Sequence, residues 1–355
     1  MKIRVYHAIS ICVLFSLLAV GVAPMAAPAT LSSKPGTVII GTYGPGTTSY
    51  IAGVALADLS KKHTNLKLAV MPQTGDPAII ALLRQRAVQL GINAAPTAIM
   101  CNQGSRWYKG KGYPLQLVHP ICSIENVLVA AANTNIRTAA DVRGKKVSAY
   151  YSGAPDNEMS LLTHLALRGL TYKDIVPVPV TSFKEGVEAV TENKADVAGT
   201  GIAANAQLQE LRAARGFRPI AGDYFSPEAA KKIHEMAPGY IPFKLPKDDL
   251  TLKWLKDDPN IPEEIVSLRF SFYLVTFPEL SDDVTYAISK AVWENYKELA
   301  PVFPRFLRDW KPEEMVSKNA FIPYHPGAIK WFKEKGVWTA EMEKLQQRLL
   351  AESLK

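Results

Sequence analysis

Short apolar strands alternate with helical stretches along this chain of 355 residues, and the alternation runs once, breaks off, and starts again. Val38 to Gly41 is a β-branched run that stops at a glycine-rich turn, and Ile51, Val54, Ala55 and Leu59 then share one helical face. Leu66 to Met71 alternates like a strand. After the turn Gln73-Thr74-Gly75-Asp76-Pro77, Ile79, Ile80, Leu82 and Leu83 continue as a helix, with Asp76 suited to its N-cap and Pro77 to its first position. Val88 to Ile92 is a third strand. The pattern restarts beyond Asn133, with a strand over Lys145–Tyr151, a helix over Asn157–Arg168 and a strand over Ile175–Val180 that Pro177 and Pro179 restrict to an edge. A helix over Lys184–Glu192, a strand over Ala195–Gly199 and a helix over 204–214 follow. Repeated strand–helix alternation predicts a parallel-rich sheet covered by helices, and its restart predicts two such lobes.

Beyond the second lobe, Pro238 to Pro262 is rich in Pro, Lys and Asp and reads as loop. Val266 to Thr276 is an extended run long enough to cross between lobes. Ser281 is placed to cap a helix over Asp282–Leu299, and from Trp310 onward the chain reads as mostly helical. The expected fold is therefore α/β: a bilobed periplasmic binding protein of type II-like form, two lobes with a hinge and a ligand cleft between them. The expected organisation is a leader at 1–29, the first part of lobe 1 at 30–133, lobe 2 at 134–240, and a crossing segment with a C-terminal return to lobe 1 at 241–355. A protein of this kind holds its ligand at strand ends and helix starts between the lobes.

The first residues predict export. Lys2 and Arg4 precede an apolar run from Ala8 to Ala23, and Ala27-Pro28-Ala29 offers a small-x-small cleavage site. That run is about 16 residues, short of the ~20 that span a bilayer. Cleavage near Ala29 would deliver the chain to the periplasm and lower its formal charge from +8 to +6. The remaining charge is dispersed, with no Lys/Arg tract and no nucleic-acid motif. Cys101 and Cys122 would survive cleavage. In an oxidising compartment they could form one disulfide or stay as two buried thiols. No metal-ligand spacing, nucleophile elbow or cofactor fingerprint occurs, so neither a metal, a cofactor nor an enzyme is expected. Of the six histidines, His325 has the setting of a structural hydrogen bond.

Four turns are candidate walls of the cleft. Gly41-Thr42-Tyr43-Gly44-Pro45-Gly46-Thr47-Thr48-Ser49 combines glycines that let backbone approach a ligand with hydroxyls at a helix start, where the dipole favours an anion. From it Thr42, Tyr43, Gly46, Thr47 and Thr48 are candidates; from the second turn, Thr74 and Asp76. Tyr151, Ser152 and Asn157 come from the second lobe's first turn, and Thr200 and Asn205 from its third. Asp156 reads either as a helix cap or as one of several acids crowding that turn. Were these acids to face the ligand, they would repel a dicarboxylate and favour an amine or several hydroxyls. Arg269 is the one basic residue of the crossing run, either a fork for a carboxylate or an outward-facing charge.

The stretch Pro323-Tyr324-His325-Pro326-Gly327-Ala328-Ile329-Lys330-Trp331-Phe332-Lys333-Glu334-Lys335-Gly336-Val337-Trp338 closely resembles the ending of the TAXI family, the solute receptors of one class of TRAP transporter. The opening Ile39 to Tyr50, Gln73 to Asp76, Asp141 to Val147, Leu170 to Ile175 and Asn193 to Val197 are similar to that family in order. The resemblance implies a monomeric, non-enzymatic receptor that docks on a TRAP permease and carries a glutamate-like or dicarboxylate ligand. A binding protein for an ABC transporter or a sensor kinase is the alternative, as is a secreted enzyme on the same fold.

Overall fold

The computed structural model describes residues 36–138, 140–203, 206–303 and 305–353. The expected leader and its cleavage site near Ala29 lie outside these residues. So does Asn205.

The first half-molecule runs β1 (Val38–Thr42), α1 (Thr48–His63), β2 (Leu68–Pro72), α2 (Asp76–Arg84), β3 (Leu90–Ala94) and α3 (Ala95–Asn102). The long strand β4 (Gln116–Ala131) leads to β5 (Lys146–Ala149), α4 (Pro155–Ala166), β6 (Val176–Pro179), α5 (Phe183–Thr191), β7 (Val197–Gly201), α6 (Ala206–Arg215) and β8 (Phe217–Pro219). Then come α7 (Pro227–Met236), β9 (Ile241–Pro246) and β10 (Glu264–Thr276). The return comprises α8 (Asp282–Asn295), α9 (Arg305–Asp309), α10 (Pro312–Met315), α11 (Pro326–Glu334) and α12 (Ala340–Glu352). Side-chain oxygens of Thr47, Ser182, Ser226 and Thr339 accept from backbone amides at the starts of α1, α5, α7 and α12.

The ten strands among the described residues join in one hydrogen-bonded sheet whose main path is β2-β1-β3-β10-β4-β7-β5-β6, with β8 on β4 and β9 on β10. Strands β2, β1 and β3 are parallel to one another, as are β7, β5 and β6. These two parallel blocks are the lobes. Antiparallel β4 and β10 cross between them: β4 pairs β10 over Gln116–Asn126 and β7 over Asn126–Ala130, while β10 pairs β9 over 264–269 and β3 over 272–275. The expected crossing at Val266–Thr276 is present, but it is one of two. Strand β6, with its two prolines, sits at the sheet edge as its sequence requires.

Strand β4 was not expected, and its packing explains why. In the second lobe Val127, Val129 and Ala131 enter one apolar cluster, while Leu128 and Ala130 enter another on the opposite face. A strand buried on both faces shows no period-two alternation. Pro120 also argues against a central strand, and the ladder accommodates it with a register shift opposite Phe272 and Tyr273. The stretch Pro238 to Pro262, expected as loop, contains β9 and a 3-10 turn over Leu250–Leu255. Ser281 makes no side-chain cap bond at α8. Cys101 and Cys122 are both free and buried, on α3 and β4, so the two-thiol alternative is the one found rather than a disulfide.

The C-terminal stretch that carried the family resemblance is a structural clasp on lobe 1. Leu117 N donates to Pro323 O at 2.8 Å and His325 N to Leu117 O at 2.8 Å, so the chain end is tied to β4. His325 is buried at the start of α11, where its Nδ1 accepts from Gly327 N at 3.3 Å and pairs with Thr285 Oγ1 at 2.9 Å. A Cβ at Gly327 would collide with Asp282 O and Thr285 Oγ1, which is how closely α11 lies on α8.

Candidate functional site

Strands β4 and β10 cross at Asn126, which stands opposite Leu268 on one side and Gly201 on the other. Above this point is a cavity of about 70 Å³ with walls from both lobes. Lobe 1 contributes Tyr43, Thr47 and Thr48; lobe 2 contributes Ala154, Asp156, Asn157, Phe183, Gly201 and Ala203; the crossing strands form the floor with Ile124, Asn126, Phe270 and Phe272. Asn126 is also the joint that positions helix α4. Its Oδ1 accepts from Ser160 Oγ at 2.9 Å and lies 3.4 Å from His164 Nε2, and its Nδ2 donates to Asn157 Oδ1 at 3.3 Å. His164 passes the chain on to the Tyr224 hydroxyl at 2.8 Å. Burial, with Arg168 nearby, holds the His164 imidazole neutral by pushing its pKa well below the ordinary value.

The apolar side of the cavity is aromatic. Tyr43 meets Phe272 edge-on at 5.7 Å between centroids, Phe272 meets Phe270 at 5.6 Å, and Phe270 meets Tyr240 at 5.1 Å. The polar side holds carboxyls from both lobes. Asp156, 4% exposed, lines the cavity and its Oδ1 has no hydrogen-bond partner. Behind Tyr43 lies Asp76, fully buried, whose carboxylate accepts from Asn93 Nδ2 at 2.8 Å and from Ala94 N at 3.3 Å. The expected N-cap role of Asp76 falls instead to the backbone of Gly75, and Asp76 is the first residue of α2. Burial raises the pKa of Asp76, the charge of Asp156 raises it further, and Thr97, Tyr43 and Asn93 oppose the rise in part. The hydroxyls of Tyr43 and Thr97 stand near enough to act in this way without forming hydrogen bonds of ordinary geometry. Burial raises Asp156 as well, against the amides of Asn157 and Asp156 at the start of α4. Among the described residues that line the cavity there is no Lys or Arg.

The lobes meet beside this cavity, backbone against backbone. A Cβ on Gly75 would fall on the carbonyl oxygen of Gly153, and one on Gly153 would lie 2.9 Å from Thr181 O. The lobe 1 turn approaches the Gly153 carbonyl this closely only because Gly75 carries no side chain, while the bare Gly153 lets its own turn lie against Thr181. The arrangement is that of a closed cleft.

Of the residues expected to form the site, the structure gathers Tyr43, Thr47, Thr48 and Asn157 around the cavity, with Asp76 just behind. Thr47 already uses its hydroxyl, donating to Gly44 O at 2.8 Å and accepting from Tyr50 N at 3.2 Å. Thr42 and Thr200 are buried with their hydroxyls turned to the carbonyls of Tyr43 and Gly201. Gly46 supplies the positive φ of 83° that its turn needs, away from the cavity. Thr74 and Ser152 are exposed, and Tyr151 is core, its hydroxyl held between the amide and carbonyl of Gly199.

Arg269 projects from the other face of β10. There Nε lies 3.3 Å from Glu125 Oε1 and Nη2 lies 3.5 Å from Asp309 Oδ1, with the guanidinium 4.0 Å above the Phe243 ring. Arg305 and Arg308 also pair with Glu125, at 2.7 and 3.2 Å, and Arg308 pairs with Asp249 and Asp309. Neither expected alternative, a fork for the ligand or an outward-facing charge, describes Arg269: it is a largely buried member of a structural charge network. Sequence reasoning missed Asn126, Phe183, Phe270 and Phe272; the aromatic pair at 270 and 272 lies on one face of an expected strand, and that spacing was the available signal.

Similar folds are found among solved structures. The ligand binding component of an ABC-type import system from Staphylococcus aureus, with zinc bound, is 10% identical, with 85% of this chain and 92% of that one covered at a TM-score of 0.50. PhnD1 from Prochlorococcus marinus in complex with methylphosphonate is 8% identical, covering 85% and 98% at 0.49. The periplasmic aliphatic sulphonate binding protein SsuA from Escherichia coli is 16% identical, covering 88% and 92% at 0.46. At 10% identity the first of these, whose TM-score reaches 0.50, shows the fold alone, and that is the bilobed α/β binding-protein fold expected from the sequence. The sequence model that matches, over residues 40–336, is that of the NMT1-like family. This match corrects the expected TAXI membership, and the TRAP permease and glutamate-like carboxylate that the resemblance implied fall with it.

Proposed function

The chain belongs to the NMT1-like family, and from that premise and its closed cleft we propose that it is a periplasmic solute-binding protein serving an ABC-type importer. The observation that carries the reading is the small cavity at the strand crossing, walled by both lobes and floored by the two strands between them. A solute touching both walls stabilises the closed form over the open one, and the free-energy difference is the binding signal. The floor fixes where the solute sits: Asn126 and Asn157 offer amides, while Phe270 and Phe272 offer apolar faces. Nothing in this role requires turnover, and the protein would release its solute unchanged to a permease.

The ABC partner is favoured because the ligand binding component of an ABC-type import system shares the fold over most of both chains. Melting temperature of the solute-stripped protein against a panel of small solutes is the first test. A solute at ~100 times its dissociation constant adds ~2.7 kcal/mol, a rise of a few degrees. Uptake of that solute by cells should then require this protein, stop on ATP depletion and survive collapse of ion gradients. Uptake that instead follows the ion gradient would exclude the ABC partner.

A further inference from the structure

We propose that the cleft selects solutes carrying a protonated amine on an apolar skeleton, the ammonium seated on Asp156 and the skeleton against Phe270 and Phe272. This rests on the solute-binding reading and names its ligand class. Three observations meet in one cavity. Asp156 is 4% exposed and lines the cavity, and its Oδ1 has no hydrogen-bond partner, although buried carboxylate oxygens ordinarily have one. Among the described residues no basic side chain lines the cavity to neutralise it. Aromatic rings, Tyr43, Phe270 and Phe272, line its apolar side, with Tyr240 packed behind Phe270, and such rings attract cations. An ammonium would give Oδ1 a donor, offset the mutual repulsion of Asp156 and Asp76, and use the rings. An anion would add a third negative group to a site whose described lining offers neutral donors, Asn126, Asn157, Thr48 and helix-start amides, but no counter-charge.

The groups around Asp156 are Asp76 from α2, Tyr43 after β1, Tyr240 before β9 and Tyr108 after α3, all of them acids. Burial raises both carboxyls, so an ammonium must draw a proton from the pair as it binds. Affinity for an amine therefore rises with pH between about 5 and 8, by up to ~10-fold per unit for each proton released. The amine itself, with a pKa near 10, stays charged across that range. A carboxylate or sulfonate ligand, accepting from the protonated pair, would show the opposite slope.

The test is calorimetric titration of the full, solute-stripped protein with three matched sets: alkyl and arylalkyl amines, amino acids bearing the same side chains, and the corresponding carboxylates and sulfonates without an amine. Binding confined to the amine-bearing sets, tightening as pH rises, supports the proposal; amines alone or amino acids alone would show whether a carboxylate is also required. Asp156→Asn should weaken amine binding about 10- to 100-fold while raising the melting temperature of the unliganded protein. A merely structural Asp156 would not couple those two changes with opposite sign. Binding of the amine-free anions, or tighter binding to Asp156→Asn, would overturn the ligand class while leaving the receptor reading intact. Silence from all three sets would overturn this inference, and a heat signal with any solute outside them would still uphold the receptor.

Discussion

The two faces of the crossing strands handle charge in opposite ways. On one face Glu125, Arg269, Arg305, Arg308, Asp249 and Asp309 form a network in which each acid meets at least one guanidinium and each guanidinium at least one acid. On the other, Asp156 and Asp76 are buried, and among the described residues no Lys or Arg lines the cavity, whose floor is Ile124, Asn126, Phe270 and Phe272. Side chains alternate across a strand, so Glu125 and Asn126, adjacent in sequence, belong to these two different environments. Charges compensated within the chain hold the hinge together. A charge left uncompensated in a cavity raises the energy of the empty site and leaves something for a solute to satisfy.

The largest way to break the contrast is on the paired face. Glu125→Gln keeps the shape but removes the charge against which fully buried Arg305 is set. Breaking a buried pair from one side costs about 3–5 kcal/mol, so urea unfolding should show a midpoint far below that of the parent. Unchanged stability would mean the network is not what holds β4, β10 and α9 together.

Closure comes next. A side chain at Gly75 would strike the Gly153 carbonyl, so Gly75→Ala should disfavour the closed form by about 1–3 kcal/mol and weaken solute binding accordingly, with the paired face untouched. Small-angle scattering in the presence of solute would show a larger radius of gyration than the parent. Equal compactness in both would remove the two glycine turns from the closing contact.

Much of this contrast could be read in the sequence, and the unread part has a common cause. The two parallel blocks, the strand at Val266–Thr276 and the edge position of Pro177 and Pro179 follow from periodicity and proline chemistry alone. Strand β4 did not, because burial on both faces erases alternation and Pro120 reads as a breaker. With β4 unseen, Asn126 could not be placed at the crossing, nor could Arg269 be assigned to the side of Glu125 rather than the side of the cavity. Tyr43, Thr47, Thr48 and Asn157 could be placed near one cavity because turns at helix starts are local. Phe270 and Phe272 were missed because which face of a crossing strand looks into the cleft is a tertiary fact. The C-terminal stretch misled about family for a related reason: Pro323, His325 and Gly327 satisfy packing against β4 and α8, a demand of the lobe and not of the ligand.

Acidity sharpens the comparison with an effect of about 2 kcal/mol or less. Unfolded, Asp76 and Asp156 titrate near their ordinary value of about 4; folded, burial raises both, and for Asp76 the charge of Asp156 adds to it. The folded state then binds more protons than the unfolded, so the stability these groups contribute when neutral falls as pH rises from about 4 toward neutrality. Asp249 on the paired face runs the other way. Burial pushes it up, but the hydroxyl and amide of Thr251 and the Arg308 guanidinium outweigh burial and lower it, so its contribution is present near neutrality and lost as pH falls. Asp156→Asn should flatten the fall toward neutrality and leave the acid limb unchanged. A stability profile of the variant parallel to that of the parent would mean Asp156 is not the uncompensated charge.

The smallest effect separates capping from contact at the cavity mouth. Thr47 lines the cavity, yet its hydroxyl already accepts from Tyr50 N and donates to Gly44 O. Thr48, one residue on, also lines the cavity and is the first residue of α1. Thr47→Ala should therefore cost about 1 kcal/mol of stability through the lost cap, with solute affinity lowered only as far as α1 frays. Thr48→Ala should leave stability nearly unchanged. If Thr47→Ser restores both stability and affinity while Thr48→Ala alone weakens binding, the lobe 1 wall contacts solute through Thr48 and is merely held in place by Thr47. Loss of affinity in Thr47→Ala at full stability would reverse those roles and bring the threonine into direct contact with the solute.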